Sequence, residues 1–277
     1  MRLSALDLAT RKFWRATGRE VDPQGHESWL AAPMGVAGWM PAEAARRGGT
    51  LVDDDPDAGL QPSLSVLAGP GFDPAMVHPV IHDFYTRTAR WRMEVWSSWS
   101  PLFWPAGEAG SRLFGRRVQQ LALPMRPLDV AYGMDGRVSV ISDASGDQAA
   151  AAWVRTLRRS GDTVFSGCYS RATLPGARRS SVHVAFPLED GNLQVFLQPQ
   201  HRPGGGLRLV SPSGPWGTDG AYILVRDRGR HFARRVPLHE TFDLYLDDEA
   251  VLRTDHVLRI WNMPAVRLHY KLERHGT

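Results

Sequence analysis

The feature that most constrains this chain is the cadence of its second half. From Arg137 onward, short runs rich in β-branched and aromatic residues recur with turn residues between them: Val138–Ile141, Thr163–Tyr169, Ser181–Phe186, Leu193–Gln198, Leu207–Val210, Ala221–Arg226, Val236–Leu246, Val251–Trp261 and Ala265–Leu272. Runs this close together leave no room for the dozen or more residues of a parallel crossover, so they pair antiparallel. Asp147–Arg159, with its alanine run, breaks the cadence and is expected to be a helix. The expected fold is α+β and mainly β, an antiparallel barrel or strongly curved sheet in the C-terminal half covered by helices from the N-terminal half.

The first half divides by the same criteria. Residues 1–72 mix short helical patterns with Gly, Pro and Asp clusters and form a wrapping segment; 73–136 are a tryptophan-rich helical lid with a rim loop; 137–277 are the barrel-like domain. Pro79 suits a first helical turn, and the periodicity beyond it predicts a helix over about 79–99. On that helix Asp83–Arg87 and Arg90–Glu94 are i,i+4 opposite-charge pairs on a solvated face. A second short helix is expected over 112–123.

With 277 residues, 43% of them apolar, the chain buries a core without staples. Its single cysteine, Cys168, excludes a disulfide framework and suits a reducing, cytoplasmic setting. The net charge of +4 arises from 31 arginines and two lysines spread singly or in pairs, a skew of GC-rich codon usage rather than the clustered stripe a phosphate backbone requires, so no nucleic-acid partner is expected. The first fifteen residues carry no signal-peptide pattern, and the longest uncharged stretches are short and broken by proline, so neither export nor a transmembrane helix is expected. No phosphate-binding glycine motif, nucleophile elbow or metal-ligand motif occurs, and no cofactor or metal is expected.

The last three runs place side chains one by one, because a strand points successive residues to opposite faces. Glu240 falls on the apolar face of the first beside Leu238, Phe242 and Leu244, His256 on the apolar face of the second beside Thr254 and Leu258, and Tyr270 on that of the third. A hairpin turn at Asp247–Ala250 sets Glu240 and His256 directly opposite or one diagonal apart. A carboxylate, an imidazole and a phenol on an apolar interior are what cofactor-free acid–base chemistry requires. The same pair reads first as a polar bridge between strands, with the carboxylate answered by an arginine such as Arg92, and only second as chemistry.

Around this catalytic set, the helix offers Arg92 as a cation projecting into the cavity and Trp91, Trp96, Trp99 and Tyr85 as an aromatic wall. The loop 124–135 offers Asp129, Tyr132 and Asp135 at the rim. Arg92 is alternatively a partner for Glu240, Asp129 or Asp135. His78 and His82 stand four apart but lack a third ligand and suit capping; Cys168 suits a small buried residue. Together these features point to a cofactor-independent isomerase, cyclase, lyase or hydrolase acting on a hydrophobic small molecule of lipid-, terpenoid- or polyketide-like chemistry. A non-catalytic carrier or sensor of such a ligand is the alternative. A peripheral membrane or protein-interaction module using the aromatic segment is a further alternative, its membrane form disfavoured by Asp83 and Glu94, and the oligomeric state is left open.

Overall fold

The computed structural model describes residues 12–35, 37–100 and 132–275. Its strands are β1 (Arg19–Val21), β2 (Leu51–Val52), β3 (Trp91–Trp99), β4 (Met134–Ser142), β5 (Gln148–Leu157), β6 (Thr163–Ala172) and β7 (Ser181–Leu188). They continue with β8 (Gly191–Arg202), β9 (Gly206–Val210), β10 (Gly220–Asp227), β11 (Arg230–Val236), β12 (Leu238–Leu246), β13 (Leu252–Ile260) and β14 (Met263–Arg274). Ten of them close an antiparallel barrel in the order β8–β7–β6–β5–β4–β3–β14–β13–β12–β9, with β9 returning to β8.

Closure depends on β8 serving two neighbourhoods. Residues 191–197 lie between β7 and β10, whereas 198–202 leave that sheet to pair with β9. The branch β10–β11–β1 continues outside the ring. Two-residue connections with left-handed backbone make the sharp reversals: Asp190 (φ 53°) joins β7 to β8, Arg228 and Gly229 (φ 50° and 78°) join β10 to β11, and Trp261 (φ 52°) joins β13 to β14. Positive φ at such positions gives a hairpin the right-handed twist of its strands.

Two segments read as helix from the sequence are extended. The 79–99 helix ends after two turns, Pro79–Thr86, where Arg87 takes an extended φ of −143° and the Thr88 hydroxyl donates to the Phe84 carbonyl at 2.6 Å. From Trp91 the alternation Trp-Arg-Met-Glu-Val-Trp has period two, and β3 pairs along its length with β14. Of the two predicted pairs, Asp83–Arg87 forms at 3.1 Å, while Arg90 turns to Asp57 instead. Gln148–Leu157 is likewise strand β5, with Ala151, Trp153 and Arg155 on one face and Ala150 and Ala152 on the other. Its alanines serve packing rather than helix propensity, since the outer pair lies in one cluster with Trp39 of the Trp39–Arg46 helix.

The barrel wall at β6, β7 and β8 is buried on both faces. Inward, Val182, Val184, Phe186, Val195 and Leu197 join Leu60, Leu64, Phe84 and Tyr85 in the main core. Outward, Phe196 packs with Trp29 and Leu30, and Cys168 and Ala185 with Ala32 and Trp39. The N-terminal segment does this with turns and short 3-10 pieces, such as Ser28–Leu30 and Leu64–Leu67, as much as with helix. Among the described residues no helix is long and apolar enough to cross a membrane.

Candidate active site in the barrel interior

The hairpin β12–β13 is joined at Asp247–Ala250 and pairs Glu240 with Leu258 and Phe242 with His256, so Glu240 and His256 are diagonal neighbours on the inward face. β14 then lays Tyr270 beside Thr254. All three line a cavity of about 110 Å³, whose remaining wall is largely aromatic and aliphatic, with Phe84, Trp153, Phe165, Phe186 and Leu209 among its members.

The chemistry of this wall lies in how its polar groups are partnered. His256 is 8% exposed and lies flat on Phe242, ring centroids 3.8 Å apart and planes at 16°. Its Nε2 stands 3.5 Å from a carboxylate oxygen of Glu240, too far for a good hydrogen bond, and both ring nitrogens are buried without a hydrogen-bond partner. Glu240 is itself buried, and no arginine or lysine among the described residues lies within ion-pairing distance of it. Leaving such groups unanswered costs on the order of 1–3 kcal/mol each, so natural interiors rarely do it without a reason.

The cation of the cavity is Arg155. Its guanidinium carbon stands 3.8 Å from the centre of the Trp153 ring, 4.4 Å from that of Phe165 and 5.7 Å from that of Tyr270, and its buried Nε has no hydrogen-bond acceptor. The phenols are held protonated. Burial pushes the hydroxyls of Tyr85, Tyr169 and Tyr270 above the ordinary phenol range, and for Tyr169 and Tyr270 the charge of Arg155 opposes that shift without cancelling it. The interior is thus rich in donors, with Glu240 as its carboxylate.

Several expected site residues are placed elsewhere. Arg92 is not a cavity cation: it points outward from β3 and pairs with Glu273 at 3.0 Å. The cavity wall carries Arg155 instead, a position that the helix expected over 147–159 conceals. Trp96 is half exposed on the outer surface beside His269, and Trp91 packs against Phe84 and donates to Asp83, so neither lines the cavity; Tyr85 does. Trp99 sits opposite Val266 in the β3–β14 register. Tyr132 is exposed beneath the Arg159 guanidinium, and Asp135 is an exposed partner of Arg158. Asp129, and the helix expected over 112–123, lie outside the described residues. His78 caps the Pro79–Thr86 helix by accepting from the Val80 amide at 3.2 Å, and no metal-ligand cluster occurs among the described residues. Burial pushes the Cys168 thiol up to about 12, which leaves it a poor nucleophile.

Comparison of the chain with family models, with curated proteins and with solved structures finds no match.

Proposed function

We propose that this chain is a cofactor-independent enzyme that performs acid–base chemistry on a hydrophobic small molecule inside the barrel, as an isomerase, cyclase, lyase or hydrolase. One observation carries the reading. His256 presents two unanswered nitrogens beside the Glu240 carboxylate, at the wall of an otherwise apolar cavity. In this scheme the Glu240–His256 pair moves a proton, Tyr270 and Arg155 answer the negative charge that develops, and the aromatic wall keeps water out. The cavity volume favours the compact end of lipid-, terpenoid- or polyketide-like chemistry: an engineered cavity of about 150 Å³ takes benzene. A reducing, cytoplasmic setting suits the single buried thiol.

Native mass spectrometry of the freshly purified protein gives the mass of any carried molecule and so the substrate class to assay. Glu240→Gln is expected to retain that molecule while turnover falls roughly 10²–10⁴-fold. Turnover equal to that of the unaltered protein removes Glu240 from the chemistry. Retention without turnover in either protein establishes the carrier reading, which the apolar lining supports.

A further inference from the structure

The proposed chemistry leaves open what kind of molecule the cavity holds, and the cavity's charges narrow it. Arg155 comes from β5, on the wall opposite the β12–β13–β14 strands that carry Glu240, His256 and Tyr270. Its guanidinium is wedged among the rings of Trp153, Phe165 and Tyr270, and no carboxylate among the described residues lies within 4 Å of it. Stacking on aromatic faces satisfies the flat surfaces of a guanidinium and leaves its N–H edge to meet acceptors, of which the Tyr270 hydroxyl is one. The Nε on that edge is buried and unpartnered. A cation in this state, inside a protein, calls for an anion.

We propose, resting on the reading of this cavity as a ligand site, that its ligand is a compact carboxylic acid bound as the carboxylate. Its charged head lies against the Arg155 edge and the Tyr270 hydroxyl, and its apolar body against Phe84, Phe165 and Phe186. The planar fork of a guanidinium matches the two oxygens of a carboxylate. The predominantly apolar wall disfavours a more heavily hydrated phosphate, which would bring a second charge against one lining cation, Arg155. Tyr85 and Tyr169, two further protonated phenols of the same lining, make the interior one that donates more than it accepts. Glu240 is not ion-paired with Arg155, its partner being His256 at 3.5 Å, so it does not occupy the place of the head. That places the carbons next to the carboxylate between the anchoring cation and the acid–base pair, the arrangement needed to remove a proton from a position activated by the head.

The test uses two probes that share a phenyl ring and differ in the carboxylate, benzoate and benzene, titrated against the purified protein by calorimetry and by ligand-induced shift of the unfolding temperature. The expected result is that both bind, with benzoate at least tenfold tighter. Arg155→Met should lose that preference and keep benzene, and Tyr270→Phe should reduce it several-fold; circular dichroism establishes that each variant is folded. If Arg155→Met does not fold, the Tyr270→Phe comparison decides. Benzene bound and benzoate rejected by the unaltered protein overturns the anion and leaves the cavity reading standing. Rejection of both probes overturns the cavity reading as well. A benzoate preference that survives Arg155→Met, or in its absence Tyr270→Phe, overturns the assignment of the anchoring groups.

Discussion

Of the imidazoles that lie flat on phenylalanine rings in this molecule, His183 and His256 stand on opposite sides of the barrel wall, and they differ in what meets their nitrogens. His183, on the outer face of β7, stacks on Phe196 with ring centroids 4.4 Å apart and planes at 2°. Its Nδ1 accepts from the Ser170 hydroxyl at 3.0 Å and its Nε2 donates to the Gln194 side-chain carbonyl at 2.9 Å. The tautomer follows from the next link. The Gln194 amide nitrogen donates to the Leu30 carbonyl at 2.9 Å and to the Asn192 side chain at 2.8 Å, and Asn192 in turn donates to the Ala32 and Pro33 carbonyls. Every polar atom of this chain is answered, and it sews the N-terminal segment to the barrel. His256, on the inner face, has the same stacking partner and no answered nitrogen. A Ser–His contact invites comparison with a nucleophile and its base, yet His183 is the structural imidazole of the two. Burial lowers its pKa to about 4, and an amide stands where a carboxylate would be needed to stabilise the imidazolium.

The same contrast holds for the two buried carboxylates. Glu43 is 1% exposed and bonds to Arg46 at 2.6 and 2.7 Å and to Arg47 at 2.7 Å, while Glu240 has only the distant imidazole. Glu43→Ala, which leaves two guanidinium groups facing a buried gap, should therefore give the largest effect, a loss of about 3–5 kcal/mol in urea unfolding. A loss below about 1 kcal/mol would break the comparison at its strongest point.

The next effect comes from pH. With a folded-state pKa of about 4 against about 6.5 when unfolded, His183 takes up its proton first in the unfolded chain. Its contribution is whole above pH 6.5 and is lost as pH falls to 4, by roughly 3 kcal/mol. Unfolding curves measured across that window should show a steeper fall for the unaltered protein than for His183→Gln; equal slopes would mean that the imidazole is not held neutral.

His256→Phe should act with the opposite sign. Replacing an unanswered imidazole by a ring of similar size removes a desolvation cost, and thermal unfolding is expected to rise by the equivalent of about 1 kcal/mol while ligand turnover disappears. Destabilisation like that of a His183 substitution would show that the two imidazoles play the same part. The smallest effect is at Cys168: the native protein should resist alkylation at pH 8 and react once unfolded, and fast labelling of the native state, followed by mass spectrometry, would place the thiol outside the wall.

What the sequence revealed divides along the same wall. Strands with one covered face, β12 to β14, alternate cleanly, and from that alternation Glu240, His256 and Tyr270 are placed on one interior face before any coordinates are known. In β7 and β8 both faces are buried, yet the outer one carries polar Ser181, His183, Asn192 and Gln194, so nothing in the sequence marks that face as covered and the His183 chain goes unnoticed. β5 and β3 misled for separate reasons. Alanine favours helix in isolation, and only tertiary packing under Trp39 makes it strand. The nine residues of β3 mix period two with a fortuitous helical spacing carried over from the real helix before it. Both errors bear on function, since they put a cavity cation at Arg92 and concealed the one at Arg155.

The two-sided wall also sets an order of events during synthesis. Residues near Trp29, Leu30 and Trp39 leave the ribosome long before β6 to β8, the surface they cover, and β3 must wait for β14 at the far end of the chain. Nascent chains of this protein therefore hold those tryptophan and leucine side chains uncovered until β6 to β8 follow, and contacts so distant in sequence close slowly. A molecule that fills the finished hollow would act only after that wait is over.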